Sequence, residues 1–209
     1  MNILIIAAGN HQCDDVLRQY ANEADYIICA DGGYDHAKAC GIVPDILVGD
    51  FDSIKEEPKD FFKKIKLPIE KDETDSLYAL RFAFSKGATH IVFYGGIGTR
   101  FDHSYANICL LQHGLERGIP MVVTDGFTEV YLTDSYLSLE KPIGTVVSVY
   151  AFSDVCQGVT LKGLKYPLQD FMLDKYNVLG TSNEFAERRA EFLVSQGKLL
   201  IICNKNKPY

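Results

Sequence analysis

The first part of the chain alternates short apolar runs with segments of helical periodicity, from the N-terminus to about residue 125. The runs are continuously apolar, as in strands that are covered on both faces of a sheet. Between them, Leu77, Leu80 and Phe84 recur at helical spacing, and Gly87 closes that segment. Alternating strands and helices predict a parallel α/β sheet. The predicted strands are Ile3–Ala8, Tyr26–Ala30, Ile46–Gly49, His90–Tyr94 and Met121–Thr124.

After about Gly126 the pattern changes to short strands separated by turn signals. The predicted strands there are Glu129–Leu132, Ser135–Leu139, Val146–Tyr150, Val155–Leu161, Asn177–Leu179 and Leu199–Cys203. The segment 185–194 is compatible with a helix, but its alternation favours a strand that forms a hairpin through residues 195–198. The pattern therefore predicts an α/β fold with an N-terminal Rossmann-like parallel-sheet domain, followed after a short junction near residues 126–130 by an all-β half that is a small sandwich or barrel.

Composition limits the class of protein. Of the 209 residues, 47% are hydrophobic, and the net charge is −7, which argues against nucleic-acid binding because that needs a basic face. No apolar stretch approaches the ~20 residues that span a membrane, and the short N-terminal run has no basic leader. We therefore predict a cytoplasmic protein that binds neither nucleic acid nor membrane. Its six cysteines form no Cys-X-X-Cys pair, which favours free thiols.

Acidic residues cluster where apolar runs give way to turns. Asp50 and Asp52 follow the run that ends at Gly49, and Asp72 and Asp102 stand at the starts of later helical segments. Ligands of open α/β sheets bind at the carboxyl ends of the strands, so the fold would bring these carboxylates together. Such a cluster repels itself unless a cation is present, and Mg²⁺ prefers oxygen ligands together with substrate phosphates. An ordinary turn is the alternative for Asp50 or Asp52 taken alone.

The segment Lys71–Asp75 precedes the helical pattern that starts at Asp75. Thr74 or Asp75 would serve as its N-cap, and the free N–H groups of a helix start attract phosphate. Lys71 would offset phosphate charge, or it is simply a solvated lysine.

A loop with three glycines, Gly95-Gly96-Ile97-Gly98, follows the run that ends at Tyr94. Glycines permit close backbone approach to phosphates, and the planar fork of Arg100 suits a phosphate oxygen pair. A helical pattern then runs from Asp102 to Gly118, on which His103 and Asn107 share a face. His103 either starts this helix or acts directly.

Two further groups are open to a structural or a functional interpretation. Asp31 ends the second predicted strand and either caps the next helix or shapes a nucleotide pocket. Ser148 with the polar loop Ser182-Asn183 suits a polar heterocycle, but residue types alone favour an ordinary turn there.

Taken together, these segments resemble the thiamine pyrophosphokinase family. They stand in the family's order and cover nearly the whole chain, and the ordered set is specific although each motif alone is weak. The matching segments are 30–33, 44–45, 49–53, 71–75, 95–96, 100–103 with Asn107, 144–145 with Ser148, and 180–184.

The resemblance implies transfer of a diphosphate from ATP to the hydroxyethyl oxygen of thiamine, giving thiamine diphosphate and AMP, in a homodimer with active sites at the subunit interface. It also implies an N-terminal α/β catalytic domain, residues 1–127, and a C-terminal β-sandwich domain for thiamine binding and dimerisation, residues 128–209. The residues that it implies are Asp50, Asp52 and Asp72 for Mg²⁺; Thr74, Asp75, Arg100 and Asp102 for ATP; and Ser182 and Asn183 for thiamine. Further candidates are Asp31, Lys71, His103 and Asn107 for ATP, and Ser148 for thiamine. Arg100, Asp72 and Asp102 are the candidate catalytic residues, and either aspartate is a candidate proton acceptor. The rival hypotheses are a metal-dependent nucleotide phosphohydrolase and a non-enzymatic nucleotide- or thiamine-binding regulator.

Overall fold

The computed structural model of the protein describes residues 1–52, 54, 63–68 and 72–205. The chain divides into two compact units, Met1–Gly126 and Phe127–Tyr209. None of the helices in the described residues is long and apolar enough to cross a membrane.

The first unit alternates strands and helices. Its strands are β1 (Asn2–Ile6), β2 (Tyr26–Ala30), β3 (Ile46–Gly49), β4 (Lys63–Lys66), β5 (His90–Tyr94) and β6 (Met121–Thr124). Its helices are α1 (Asp14–Glu23), α2 (Gly33–Ala39), α3 (Asp75–Ser85), α4 (Phe101–Cys109) and α5 (Leu111–Leu115).

These strands are parallel and lie in the order β6-β5-β1-β2-β3-β4. β1 is central, since Ile3 pairs with Tyr26 on one side and with Ile91 on the other. All of β3 and nearly all of β1 are buried, which explains why their sequences are continuously apolar. The predicted parallel α/β sheet is thus confirmed, and four of its five predicted strands have the predicted bounds.

Three details of this unit differ from the predictions. β1 ends at Ile6 and not at Ala8, because Ala7 and Ala8 enter a loop against β5. β4 was not predicted, since its sequence Lys-Lys-Ile-Lys has no apolar run; it is an edge strand, where lysines are common. The helix predicted from Asp102 to Gly118 is interrupted at Leu110, so that α4 and α5 are separate.

The second unit is all β. Its strands are β7 (Thr128–Thr133), β8 (Tyr136–Glu140), β9 (Val146–Ala151), β10 (Val155–Lys162), β11 (Leu168–Asp174), β12 (Asn183–Glu184), β13 (Arg189–Leu193) and β14 (Leu199–Asn204). β12, β9, β14 and β7 pair in that order, and β11, β10, β13 and β8 form a second antiparallel sheet.

Both sheets of this unit contribute buried side chains to one hydrophobic core. Val149 of β9 and Ile201 of β14 come from one sheet, while Val159 of β10 and Phe192 of β13 come from the other, and all are almost wholly buried. This is the predicted β-sandwich, because two sheets cover each other's apolar faces.

Some strands of this unit were predicted wrongly. β11 was missed because its exposed residues break the apolar alternation, and Asn177–Leu179 is not a strand. Segment 185–194 does contain a strand, β13, but the predicted hairpin is wrong: β13 pairs with β8 and β10, whereas β14 pairs with β7 and β9. Residues 195–198 cross from one sheet to the other.

Candidate active site

A cavity of about 380 Å³ opens at the carboxyl ends of β1, β2 and β5. Loops from these strands and the first turns of α3 and α4 form its walls. Its lining residues are Ala7, Ala8, Gly9, Asn10, Ala30, Asp31, Thr74, Asp75, Ser76, Gly95, Gly96, Gly98, Thr99, Arg100, His103, Ser104 and Asn107. This position agrees with the rule that ligands of open α/β sheets bind beyond the strand ends.

The loops after β1 and β5 are locked together by backbone contacts. The Gly9 N–H donates to Gly95 O at 2.9 Å, and the Asn10 N–H donates to Ile97 O at 2.6 Å. A Cβ on Gly9 would lie 2.2 Å from Gly95 O, so only glycine permits this approach. The contact fixes one wall of the cavity in a single geometry.

Two buried polar side chains of α4 hold the glycine loop. Ser104 Oγ accepts a hydrogen bond from the Gly98 N–H at 2.9 Å, and Asn107 Nδ2 donates to Gly96 O at 2.9 Å. Both side chains line the cavity, as does His103. Asn107 was predicted as a ligand contact, and the structure adds a bracing role for its amide.

Arg100 and Asp102 form a two-point ion pair with each other. Arg100 Nε lies 3.0 Å from Asp102 Oδ1, and Arg100 Nη2 lies 2.6 Å from Asp102 Oδ2. Both side chains are exposed. The Arg100 guanidinium holds the pKa of the Asp102 carboxyl well below its usual range, so this carboxylate is a weak proton acceptor. Arg100 lines the cavity, whereas Asp102 is absent from its lining.

The N-terminus of α3 opens onto the cavity. Thr74 is the N-cap, and its Oγ1 accepts from the Leu77 N–H at 3.2 Å. Thr74, Asp75 and Ser76 all line the cavity. Because the first N–H groups of a helix carry partial positive charge, this wall suits phosphate oxygens.

Three carboxylates meet beside the same strand ends. One oxygen each of Asp31, Asp50 and Asp52 lies within 4.8 Å of the other two. The reason is topological: Ala30 of β2 pairs in parallel with Val48 of β3, so residues just beyond the two strands are neighbours. Gly49 has φ +148, and a Cβ there would lie 3.0 Å from Asp31 Cβ, so glycine allows the cluster to close. Three close oxygen ligands suit a hard divalent cation such as Mg²⁺.

The composition of this acidic cluster differs from the prediction. Asp50 and Asp52 are members as predicted, but the third member among the described residues is Asp31, and Asp72 is outside the group. Asp72 is exposed, just before the N-cap of α3. Asp31 does not cap α2, whose N-cap is Gly32. Lys71 lies outside the described residues.

Several cavity residues were not predicted as site residues. Asn10, Ser76 and Ser104 line the cavity. Ser104 had a signal, since it follows the glycine loop within the first turn of a predicted helix. Asn10 follows the first predicted strand, where the sequence was compatible with a nucleotide pocket or a plain turn, and Ser76 gave no signal beyond its position at a helix start.

The residues predicted for thiamine lie together in the second unit. Ser148 Oγ accepts from the Ser182 N–H at 3.1 Å, and Ser182 has a left-handed φ of 58°. The buried Asn183 amide is engaged by backbone: its Nδ2 donates to Tyr166 O at 2.7 Å, and its Oδ1 accepts from the Tyr166 N–H at 2.9 Å. Ser148 and Asn183 therefore support the loop that exposes Ser182.

The fold and the cavity define the class: an α/β enzyme fold with a glycine loop, a helix N-terminus and a carboxylate cluster around one cavity. Models of the thiamin pyrophosphokinase catalytic domain and of its vitamin B1 binding domain match residues 17–123 and 135–199. The chain belongs to the thiamine pyrophosphokinase family, so the predicted family and the prediction of an enzyme are confirmed.

Individual relatives agree with this assignment. Thiamine pyrophosphokinase of Bacillus subtilis is 31% identical over 207 residues, covering 96% of this chain and 97% of that protein. Its crystal structure superposes with a TM-score of 0.88 at 28% identity, covering 99% of this chain and 100% of the other. The thiamin pyrophosphokinase of Geobacillus thermodenitrificans gives a TM-score of 0.85 at 27% identity, covering 100% and 99% of the two chains.

Proposed function

We propose that this protein transfers the diphosphate group of ATP to the hydroxyethyl oxygen of thiamine, giving thiamine diphosphate and AMP. The observation that carries the proposal is the cavity of the first unit, where a glycine loop and the N-terminus of α3 stand beside three convergent carboxylates. Phosphate groups and a divalent cation are the ligands for which such walls are suited. Membership of the family supplies the acceptor, thiamine.

In this reaction the thiamine hydroxyl oxygen forms a bond to the β-phosphorus of ATP while the bond from that phosphorus to the α,β-bridging oxygen breaks. AMP leaves with the electron pair, and the hydroxyl proton passes to a base or to water. Positioning and electrostatic stabilisation supply most of the rate in transfers of this type.

The described residues divide these tasks. Asp31, Asp50 and Asp52 are the proposed Mg²⁺ ligands; when bound, Mg²⁺ offsets charge on the phosphate oxygens. The proposed contacts for phosphate oxygens are the N–H groups at the start of α3, after Thr74, and the backbone of the glycine loop, since both line the cavity. Arg100 is the proposed ligand of a further phosphate, and Asp102 orients its guanidinium.

Of the two candidate aspartates, Asp102 has both carboxylate oxygens engaged by Arg100. Asp102 is paired with Arg100, which lowers the pKa of its carboxyl. A carboxylate with so low a pKa has little driving force to take a proton. We therefore propose Asp72 as the base, and Asp102 as a residue that positions Arg100.

The proposal extends to thiamine, assembly and location. Ser182, with Ser148 and Asn183 supporting its loop, is the proposed thiamine contact in the second unit. A homodimer with active sites at the subunit interface, a cytoplasmic location, and the assignment of catalysis to residues 1–127 and of thiamine binding to residues 128–209 remain predictions. Light scattering after size-exclusion chromatography measures the oligomeric state. A molar mass equal to one chain would contradict the homodimer.

The decisive experiment incubates the purified protein with ATP, thiamine and Mg²⁺ and identifies the products by mass spectrometry. We expect thiamine diphosphate and AMP in equal amounts, and neither product without thiamine. Steady release of phosphate or diphosphate without thiamine would instead indicate a phosphohydrolase. Binding of ATP and thiamine with no product would indicate a regulator.

A further inference from the structure

A second group of ligand-type side chains lies at the start of α1, among residues that do not line the cavity. One ligand atom each of His11, Asp14 and Cys40 lies within 4.8 Å of the other two. His11 Nε2 is 2.5 Å from Asp14 Oδ1 and 3.5 Å from Cys40 Sγ. Cys40 is buried, His11 is largely buried, and Asp14 is half exposed, so the group is open to solvent on one side.

The other side of the His11 ring is fixed by the core. His11 Nδ1 lies 2.9 Å from the hydroxyl of Tyr94, a wholly buried side chain, and that hydroxyl is 3.4 Å from Cys13 O. His36 stacks on the His11 ring with centroids 5.1 Å apart. Metal-binding histidines characteristically use their second ring nitrogen in this way, and the contact turns the first nitrogen towards the metal.

The geometry does not suit a nucleophilic cysteine. In a catalytic triad the carboxylate holds one ring nitrogen while the nucleophile faces the other. Here Asp14 and Cys40 both face Nε2, and Tyr94 occupies Nδ1. If the Tyr94 hydroxyl donates to Cys13 O, His11 Nδ1 carries the proton, and the Nε2 lone pair faces a carboxylate. A cation then has to lie between them: the 2.5 Å separation holds a proton, and a metal ion that replaces the proton would move the two atoms apart.

We propose that His11, Asp14 and Cys40 bind a divalent transition-metal ion of the Zn²⁺ class, with water as a fourth ligand. Imidazole, thiolate and carboxylate are the ligands of tetrahedral Zn²⁺. Mg²⁺ prefers oxygen ligands, so we do not expect it to bind the nitrogen and sulfur atoms of this site. The site therefore differs in its metal preference from the carboxylate cluster at Asp31. Binding forms a metal–sulfur bond and releases the thiol proton of Cys40 to solvent, with any proton on His11 Nε2.

Arg18 is a charged neighbour that contacts two of these residues, Asp14 and Cys40. Its Nη2 is 3.5 Å from Asp14 Oδ2, and its Nε donates to Cys40 O at 3.2 Å. Arg18 therefore takes the outer carboxylate oxygen and leaves Asp14 Oδ1 towards His11. It also joins α1 to the end of α2, so the ligands from the two segments are held together before a metal binds.

One link between this site and the cavity runs through His36. His36, which stacks on His11, has Nε2 2.9 Å from Gly9 O, and Gly9 lines the cavity wall. A metal that cross-links His11 to Cys40 would restrain this loop. We therefore expect binding to raise the midpoint temperature of unfolding as well as to change absorption.

Cobalt is the probe for the test, since Co²⁺ replaces Zn²⁺ and is coloured. The full chain is stripped with a chelator and titrated with Co²⁺ in excess Mg²⁺, which keeps the carboxylate cluster occupied. We expect saturable tetrahedral d–d absorption with a thiolate-to-cobalt charge-transfer band, displaced by Zn²⁺. Absence of that band would overturn the proposal.

Paired variants identify the ligands. Cys40→Ser should abolish the charge-transfer band. Asp14→Asn should weaken Co²⁺ binding by ~10-fold or more. Tyr94→Phe should weaken Co²⁺ binding by ~10–100-fold, because the Tyr94 hydroxyl orients the His11 ring.

The matched controls are Asp15→Asn, which alters the next, exposed carboxylate of α1, and Cys109→Ser in α4. Both controls should bind Co²⁺ as the parent protein does. A band that survives Cys40→Ser, or that is lost in Cys109→Ser or Cys13→Ser while circular dichroism shows a folded chain, would contradict the assignment. Asp14 is exposed, so Asp14→Asn should leave the fold intact. Its Co²⁺ binding therefore still tests the proposal if Cys40→Ser fails to fold.

Discussion

At the scale of single residues, the site depends on a few positions with unusual backbone geometry. Asp31 has φ 46° and Phe51 has φ 71°, in the left-handed region that L-residues avoid at a cost of ~1–2 kcal/mol. Among residues other than glycine, aspartate and asparagine tolerate this region best. The turn through Gly49 and Phe51 brings Asp50 and Asp52 towards Asp31. Backbone strain at this point is thus the cost of gathering three negative charges.

The first prediction separates metal binding from proton transfer. Asp31→Asn should raise the Mg²⁺ concentration at half-maximal activity by ~10-fold or more, because it removes a charged ligand, while asparagine keeps the left-handed backbone. Asp72→Asn should leave the Mg²⁺ requirement unchanged and lower turnover by ~10²-fold or more, as loss of a general base does. Initial rates over a Mg²⁺ series measure both effects.

Three outcomes of that series would count against the assignments. An altered Mg²⁺ requirement in Asp72→Asn would place this carboxylate at the metal. Full turnover in Asp72→Asn would remove it as the base. An unchanged Mg²⁺ requirement in Asp31→Asn would remove Asp31 from the metal ligands.

The second prediction concerns the N-cap of α3. Thr74→Ala removes the acceptor for the Leu77 N–H and should lower the free energy of unfolding by about 1 kcal/mol. It should also raise KM for ATP, because the first turn of α3 frays where we propose that phosphate binds. Thr74→Ser keeps the hydroxyl and is the matched control. Equal KM values for ATP in the alanine and serine variants would show that the cap does not act on the nucleotide.

At the scale of elements, the cavity exists because two loops approach within backbone contact. The loops after β1 and β5 share hydrogen bonds, and α4 braces the second loop through Ser104 and Asn107. Since β1 and β5 are neighbouring parallel strands, their following loops begin at the same level of the sheet. Helix starts at α3 and α4 then supply the remaining walls.

The third prediction tests this close approach. Gly9→Ala would place Cβ 2.2 Å from Gly95 O, which forces the backbone apart, and should lower the free energy of unfolding by ~3 kcal/mol or abolish folding. Gly118→Ala is the control: Gly118 has φ +64 and open space around it, so alanine should cost only ~1 kcal/mol. Urea denaturation followed by circular dichroism measures both. An equal loss of unfolding free energy in the two variants would show that the loops after β1 and β5 move apart easily.

At the scale of the whole molecule, the buried cores keep ionisable groups in their neutral forms. Burial raises the pKa of the Cys203 thiol to about 12, from an ordinary value of 9.0. Burial likewise raises the pKa of Cys29 above its ordinary value, and that of Tyr94 to about 12. The folded chain therefore keeps protons at alkaline pH that the unfolded chain loses.

The fourth prediction follows from this difference in proton binding. Between about pH 9 and about pH 12 the unfolded state binds fewer protons than the folded state, so the free energy of unfolding falls as pH rises. This contribution to stability is complete below about pH 9, the ordinary thiol pKa. The urea concentration at the midpoint of unfolding, compared between neutral pH and pH values above 9.0, measures this fall in the free energy of unfolding. In Cys203→Ala the urea midpoint should fall less steeply with pH than in the parent protein. Cys109→Ala, at a half-buried position, is the control. Parallel declines of the midpoint in all three proteins would exclude Cys203 as a cause.

Local patterns of the sequence determined much of the fold. Continuous apolar runs predicted β2, β3, β5 and β6 at their observed bounds, because strands buried on both faces need such runs. The same argument could not find β4 or β11, since an edge strand or an exposed strand has no apolar run. It also could not show that β13 and β14 belong to different sheets, because strand pairing depends on residues distant in sequence.

The candidate site shows the same division. The sequence by itself determined the family, the glycine loop, a helix cap at Thr74 or Asp75, and the pair Asp50 and Asp52, because each of these rests on motifs that are short in sequence. Only the tertiary structure decided that Asp31 completes the acidic cluster in place of Asp72, and that Arg100 pairs with Asp102. The physical reason is that the acidic cluster depends on which strands are neighbours, whereas the Arg100–Asp102 pair depends on the side-chain conformations that the two residues adopt. The pairing of β2 with β3 sets two carboxylate-bearing turns side by side, and no local spacing encodes it.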